Sequence, residues 1–370
     1  MVMGWLAYEI TDSPFLVGIF TAVRLSPTFL GPFFGTIADR VNRRNLIIII
    51  QATQVFLATV IALLILTSQL QFWQLTLIGF LDGIIWSSYY TTSFSLTMDI
   101  VGDSDISNAV ALNIASMGIT RVIGPAVGGI IIASIGPANC FWLVALFNII
   151  AILPLIKLGI PSIATATEKG TPWQDIAQGF RYVIYHRSLL SVLIVSFTAN
   201  IFLWPAYQSF MPIFAKDNLG LGADGLGYIL TSMGTGAFIS SIIIASLGDF
   251  SYKGILYLGG TALMTLFFGM FAISRTFLTA ITLVAIAGLF STAFNTMQST
   301  ITLKTAPEDM RGRCMGFLSM AIGVYSLGSL GMGAIANIYG AGPTTAVSCA
   351  ILLILIVIYT IIFPSLRKVK

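Results

Sequence analysis

Long apolar runs, separated by short polar connections, repeat along the whole chain. They cover residues 14–38, 45–67, 73–98, 107–134, 138–160, 189–215, 224–247, 254–274, 277–303, 313–338 and 342–363. A helix crosses a bilayer with about 20 residues, so each run is long enough to span. Residues 1–10 form a shorter apolar stub. It has no basic leading segment and no cleavage site, so it does not read as a secretory signal. It reads as the outer half of a first helix whose beginning is missing. The pattern predicts an all-α membrane protein with eleven full membrane helices and one incomplete one.

Composition agrees with that pattern. Hydrophobic residues make up 57% of the chain and charged residues 9%, with a mean hydropathy of +0.95. Soluble domains carry about 25% charged residues. The net charge of +4 does not point to nucleic acid, because the basic residues sit in short loops beside apolar runs. Fourteen of the 18 Lys and Arg residues fall on one set of alternating connections, and only Lys216 and Arg275 fall on the other. Arg24 and Arg121 lie within spans. Short basic loops stay in the cytoplasm, so the connection at 39–44 faces inward. The three cysteines, Cys140, Cys314 and Cys349, lie in apolar runs without metal-ligand spacing and read as packing residues.

The longest connection joins the sixth and seventh spans and divides the chain into three parts. Residues 1–160 form an N-terminal bundle, 161–188 a cytoplasmic linker and 189–370 a C-terminal bundle. Within the linker, Trp173, Ile176, Phe180 and Val183 recur at helical spacing, which predicts an amphipathic helix on the inner membrane surface. A faint repeat supports the two halves. Asp39 precedes Arg43 by four residues, as Asp249 precedes Lys253. Gly118 and Gly128 recur as Gly323 and Gly333.

Several stretches carry a family resemblance. Gly35-Thr36-Ile37-Ala38-Asp39-Arg40-Val41-Asn42-Arg43-Arg44 resembles the loop between helices 2 and 3 of major facilitator superfamily transporters, with Asn42 where a second glycine is usual. Asparagine tolerates a left-handed backbone, so the turn is expected to survive. Gly124-Pro125-Ala126-Val127-Gly128-Gly129, with Gly118 upstream, resembles the G-P-x-x-G-G signature of the superfamily's antiporters. Trp5 to Pro14, Ser107-Asn108-Ala109, Arg121 to Pro125 and Gly179 to Tyr182 look like the exporter group that includes enterobactin and macrolide efflux proteins. One departure is Tyr90-Thr91-Thr92-Ser93, where that group has a Pro-Ala pair.

The resemblance implies two six-helix bundles that rock about a central cavity. It implies a latch in which Asp39, with Gly35 and Arg40, meets the start of the eleventh helix. Arg43 would pair with Asp99, whereas Arg44 reads as simple topogenic charge. Pro125 removes a helix hydrogen bond and bends the fifth span, and its glycines let another helix approach; ordinary small-residue packing is the alternative. Spans 1, 4, 7 and 10 would line the cavity, bringing in Asp82, Trp86, Asn200, Trp204, Tyr207, Gln208, Asn295 and Gln298. Aromatic faces with a few amides suit a large amphipathic solute.

Ionisable residues inside the bilayer are costly and therefore point to function. Asp82 is the candidate for proton coupling, with Arg24 or Arg121 as its counter-charge; a static ion pair is the alternative. Glu9 is a further proton candidate, or a solvated carboxylate. His186 is the only histidine, and no nucleophile, metal or phosphate-cradling cluster accompanies it, so an enzyme is not expected. Without a G-x-x-x-x-G-K-[ST] loop, this chain does not drive transport with ATP by itself. The expectation is a monomeric secondary exporter in a bacterial cytoplasmic membrane. Its partners are a small molecule and the lipid bilayer, with no cofactor and no nucleic acid. An importer or a proton-independent facilitator remains open.

Overall fold

A computed structural model describes residues 1–30, 41–101, 106–157, 181–246, 252–307 and 311–364. Among these, all regular structure is helical. The first half contains α1 (Val2–Thr11), α2 (Pro14–Leu25), α3 (Arg43–Leu66), α4 (Phe72–Val101), α5 (Ile106–Ile135) and α6 (Pro137–Lys157). The second half contains α7 (Arg187–Phe202), α8 (Trp204–Ser209), α9 (Ala223–Ser246), α10 (Lys253–Ala272), α11 (Phe277–Thr305), α12 (Arg311–Gly323), α13 (Tyr325–Tyr339) and α14 (Ala341–Ile362). Eight described helical stretches are long and apolar enough to cross a membrane. Phe56, Phe147 and Ile338 stand largely exposed on the outer faces, as lipid-facing side chains do.

Three apolar runs that read as single helices are broken. The second run leaves α geometry after Leu25 and continues as a 3₁₀ turn over Ser26–Leu30. Pro27 explains the change, because proline lacks the N–H that would bond to the carbonyl four residues back. The seventh run breaks at Leu203, with Pro205 opening α8, and ends in a wide turn over Phe214–Asn218. The eleventh divides at Val324 into α12 and α13, and no proline marks that break. Pro125 and Pro154 instead lie inside continuous helices.

Two helix starts depart from expectation. Asn42 does not take a left-handed conformation. Its φ is −64° and its ψ 109°, and its side chain accepts a hydrogen bond from the Asn45 N–H at 3.2 Å. It caps α3, which is what a short polar side chain does at an N-terminus. Arg44 is more than a topological charge. Its Nε donates to the Leu155 carbonyl at 2.6 Å and its Nη2 to that of Ile156. It satisfies the last carbonyls of α6, where a cation also opposes the helix dipole.

The halves pack separately and meet most extensively at two crossings. In the first half, α3 lies along α6 and α4 beside α2. In the second, α11 packs between α9 and α10, and α10 against α14. Phe210, Phe214, Tyr257, Phe268, Phe271 and Phe294 are fully buried in this half. Between halves, α5 crosses α9 and α2 crosses α13. Each crossing turns on a glycine pair. A Cβ on Gly129 would lie 2.9 Å from Gly227 Cα, and one on Gly18 would lie 3.3 Å from Gly333 Cα. Neither backbone could come so close to a side chain.

Candidate functional site

The antiporter-like stretch shows how α5 meets α9. Pro125 has no N–H to give the Arg121 carbonyl. That carbonyl faces Gly234 of α9, where a Cβ would stand 2.6 Å from the oxygen. The neighbouring Val122 carbonyl accepts the Thr231 hydroxyl at 3.2 Å. Gly129 is thus a true close-approach glycine. Gly118, Gly124 and Gly128 are not: their nearest neighbours would be Phe238, Thr120 and Met1 side chains at 3.5 to 3.9 Å.

A cavity of about 600 Å³ lies between the halves. Its wall brings together Trp86, Asn200, Trp204, Tyr207, Gln208, Asn295 and Gln298, with Arg24, Arg121 and Pro125. Trp204 meets Tyr207 edge-on with ring centroids 5.5 Å apart, and tilts against Phe294 at 6.2 Å. The Trp204 indole N–H is buried without a hydrogen-bond partner. Asn200 and Asn295 each donate an amide N–H to the carbonyl one turn back, Ser196 and Ser291 respectively, which leaves their own carbonyl oxygens available as acceptors. Gln298 is more committed. Its Oε1 accepts from Ser196 at 2.6 Å, and Ser196 also contacts the Tyr257 hydroxyl at 3.0 Å.

Arg24 and Asp82 form an ion pair beside this cavity. The Asp82 Oδ2 accepts Arg24 Nε at 3.0 Å and Nη2 at 2.9 Å. Its Oδ1 accepts Gln54 Nε2 at 2.9 Å. The Asp82 side chain is 11% exposed and that of Arg24 36%, so the cation faces the cavity and the anion lies behind it. Gly83 makes this possible: α4 passes so close that a Cβ there would collide with the Arg24 carbonyl. The sequence left two arginines open as counter-charge, and the geometry selects Arg24. Arg121 stands on a different helix and makes no hydrogen bond or ion pair among the described residues. Gln54 was missed, although two amides in one apolar run, Gln51 and Gln54, were the available signal.

A second polar group joins the halves at the end that the loop charges assign to the outside. The Tyr8 hydroxyl donates to Asp217 Oδ2. Lys216 Nζ donates to Asp12 Oδ1 at 2.8 Å and lies 5.0 Å from the centre of the Tyr8 ring. The hydrogen bond to Asp12 holds the Lys216 ammonium above the usual lysine range. Close by, Ser13 Oγ donates to Asn337 Oδ1 at 3.1 Å. Glu9 is exposed at this end and does not line the cavity. The clamp was legible only as an oddity: Lys216 and Asp217 are adjacent charges in connections otherwise poor in charge.

The expected inner latch falls mostly outside the described residues. Gly35, Asp39 and Arg40 lie there, as does the linker up to residue 180. Arg43 opens α3, and Asp99 lies in the last turns of α4. Only residues 181–185 of the amphipathic linker helix are described, and they are helical, with Val183 buried.

The family model described as "Transmembrane secretion effector" matches residues 1–370. The enterobactin exporter EntS of Shigella flexneri is 26% identical over 329 residues, covering 87% of this chain and 78% of that protein. The same exporter of Shigella boydii serotype 4 is 26% identical over 334 residues, with the same coverage. Among solved structures, the nucleoside transporter NupG superposes with a TM-score of 0.77 at 14% identity, over 98% of this chain and 94% of that one. A bacterial homologue of the human lysosomal transporter Spinster, inward-facing and unoccupied, gives 0.67 at 15% identity, over 99% and 92%.

Proposed function

The chain belongs to the transmembrane secretion effector family of major facilitator transporters, and on that premise we propose that it exports an amphipathic, partly aromatic small molecule in exchange for protons. It is a multi-pass membrane transporter and not an enzyme. The finer reading rests on one observation above all: an aromatic and amide-lined cavity between the two halves has the Arg24–Asp82 pair on its wall. The relatives named as enterobactin exporters support outward transport of a siderophore-like solute.

The chemistry follows from the pair. As a carboxylate, Asp82 accepts three N–H donors and neutralises Arg24. Once protonated, Asp82 loses the charge that holds Arg24, and the two bonds from the guanidinium weaken. Arg24, already at the cavity wall, is then free to reorient and meet either water or solute. A proton arriving from one side and leaving to the other thus changes what the cavity offers in each conformation. The outer clamp of Tyr8, Asp12, Lys216 and Asp217 and the two glycine crossings hold one such conformation, closed at the outer end. The protein works in this reading as a monomer with no cofactor, the proton gradient supplying the energy.

An accumulation screen tests the direction. Cells with and without the gene are loaded with macrolides, dyes or siderophores. Export predicts lower accumulation of at least one compound on expression. Higher accumulation would instead make the chain an importer.

A further inference from the structure

The cavity wall carries an uncompensated positive charge. Among the described residues, two arginines line it, Arg24 and Arg121, and no carboxylate does. Arg24 is neutralised by Asp82 immediately behind it. Arg121 has no such partner: among the described residues it makes no ion pair and no hydrogen bond through its side chain. Its position is nonetheless fixed. Pro125, one turn on, frees its carbonyl, and Gly234 brings α9 against that carbonyl. The backbone from which the guanidinium extends is therefore held in place.

Arg121 is exposed on the cavity wall, and among the described residues its charge is not matched by any protein group. Its guanidinium offers five N–H donors and no acceptor. Here the side chain remains open to the cavity, with Tyr207 and Trp204 on the facing wall to take an aromatic body. We propose that Arg121 is the anion-binding residue of the cavity, and that the preferred solute carries an anionic head, such as a carboxylate or phenolate, on an aromatic body. This rests on the export reading for the use of the cavity and adds the charge of what it takes. A planar guanidinium binds such heads through paired, charge-assisted hydrogen bonds. The Arg24–Asp82 pair keeps the remainder of the wall neutral, so one anionic group balances the site.

Isothermal titration of the purified full chain with two probes of the same shape tests this. The probes are 2-naphthoate and its uncharged amide, 2-naphthamide. The wild type should bind 2-naphthoate about tenfold more tightly or better, the range of a charged hydrogen bond. R121Q should bring the two probes to parity, and an unchanged Tm shows that the variant is folded. R121K, which keeps the charge, should retain part of the preference. Equal binding of both probes by the wild type, or a preference that survives in R121Q, overturns the anion assignment and leaves export standing. Binding of neither probe overturns the assignment together with the use of this cavity, while accumulation in cells tests export separately.

Discussion

Arg24 Nε and Nη2 converge on one oxygen of Asp82, at 3.0 and 2.9 Å, while Gln54 holds the other oxygen at 2.9 Å. Both charges depend on one partner. R24Q leaves Asp82 with Gln54 alone, and D82N leaves Arg24 facing the cavity without its anion. Each should lower the Tm of the purified protein. The R24Q/D82N double variant should recover part of the loss, with a coupling of about 0.5–3 kcal/mol. Additive losses would mean that the contact contributes nothing.

The close-approach glycines predict a graded response. A methyl on Gly129 meets the Ala223 carbonyl at 2.7 Å, and one on Gly18 meets the Ser329 carbonyl at 2.6 Å. Backbone cannot move aside as a side chain can. G129A and G18A should each cost about 1–3 kcal/mol, the range of overpacking. G124A, whose methyl has only Thr120 Cγ2 at 3.9 Å, should be neutral or slightly stabilising, since alanine favours helix. Thermal unfolding of the three variants checks the order.

The outer clamp predicts a change in access rather than in fold. In Y8F and K216M the outer end should open more often, so a cysteine placed at Asn295 should react faster with a membrane-impermeant thiol reagent added outside. The pH dependence follows from the sign of the Lys216 shift. Its folded-state value is raised above 10.5 by Asp12, so this contribution is complete below pH 10.5 and is lost as the pH climbs through the folded value. Lysine titration should therefore not alter outer access in the neutral range.

Gln298 and Asn295 both line the cavity and should respond differently. Gln298 is buried and bonded to Ser196. Q298A leaves a buried hydroxyl network short of an acceptor, at a cost of about 1–3 kcal/mol. Asn295 is open to the cavity and bonded only to its own helix, so N295A should leave Tm nearly unchanged and alter solute binding alone. Tm and probe affinity, measured together, separate the two roles.

These contrasts mark what the sequence could carry. The spans were legible because lipid demands long apolar helices, and the cavity positions because the family resemblance says which spans line it. Asp82, Arg24 and Arg121 stood out as charges inside apolar runs, but choosing between the arginines needed the rotation of α2 and α5. Periodicity does not supply that rotation in helices that are apolar on all sides. The clamp joins Lys216 to Asp12, 204 residues away, and no local pattern signals so distant a contact. The break at Val324 has no proline to announce it. Asn42 shows the opposite error: a substitution read as a turn residue is a helix cap, because its side chain found the Asn45 N–H.

The central claim is that Asp82 couples protons to transport. Flux of an exported compound in proteoliposomes, with and without an imposed pH gradient, tests it most directly. The account predicts that the gradient accelerates wild-type flux and leaves D82N, still able to exchange solute down its own gradient, unresponsive. If D82N retained the full response to the gradient, or the wild type had none, the claim would be contradicted.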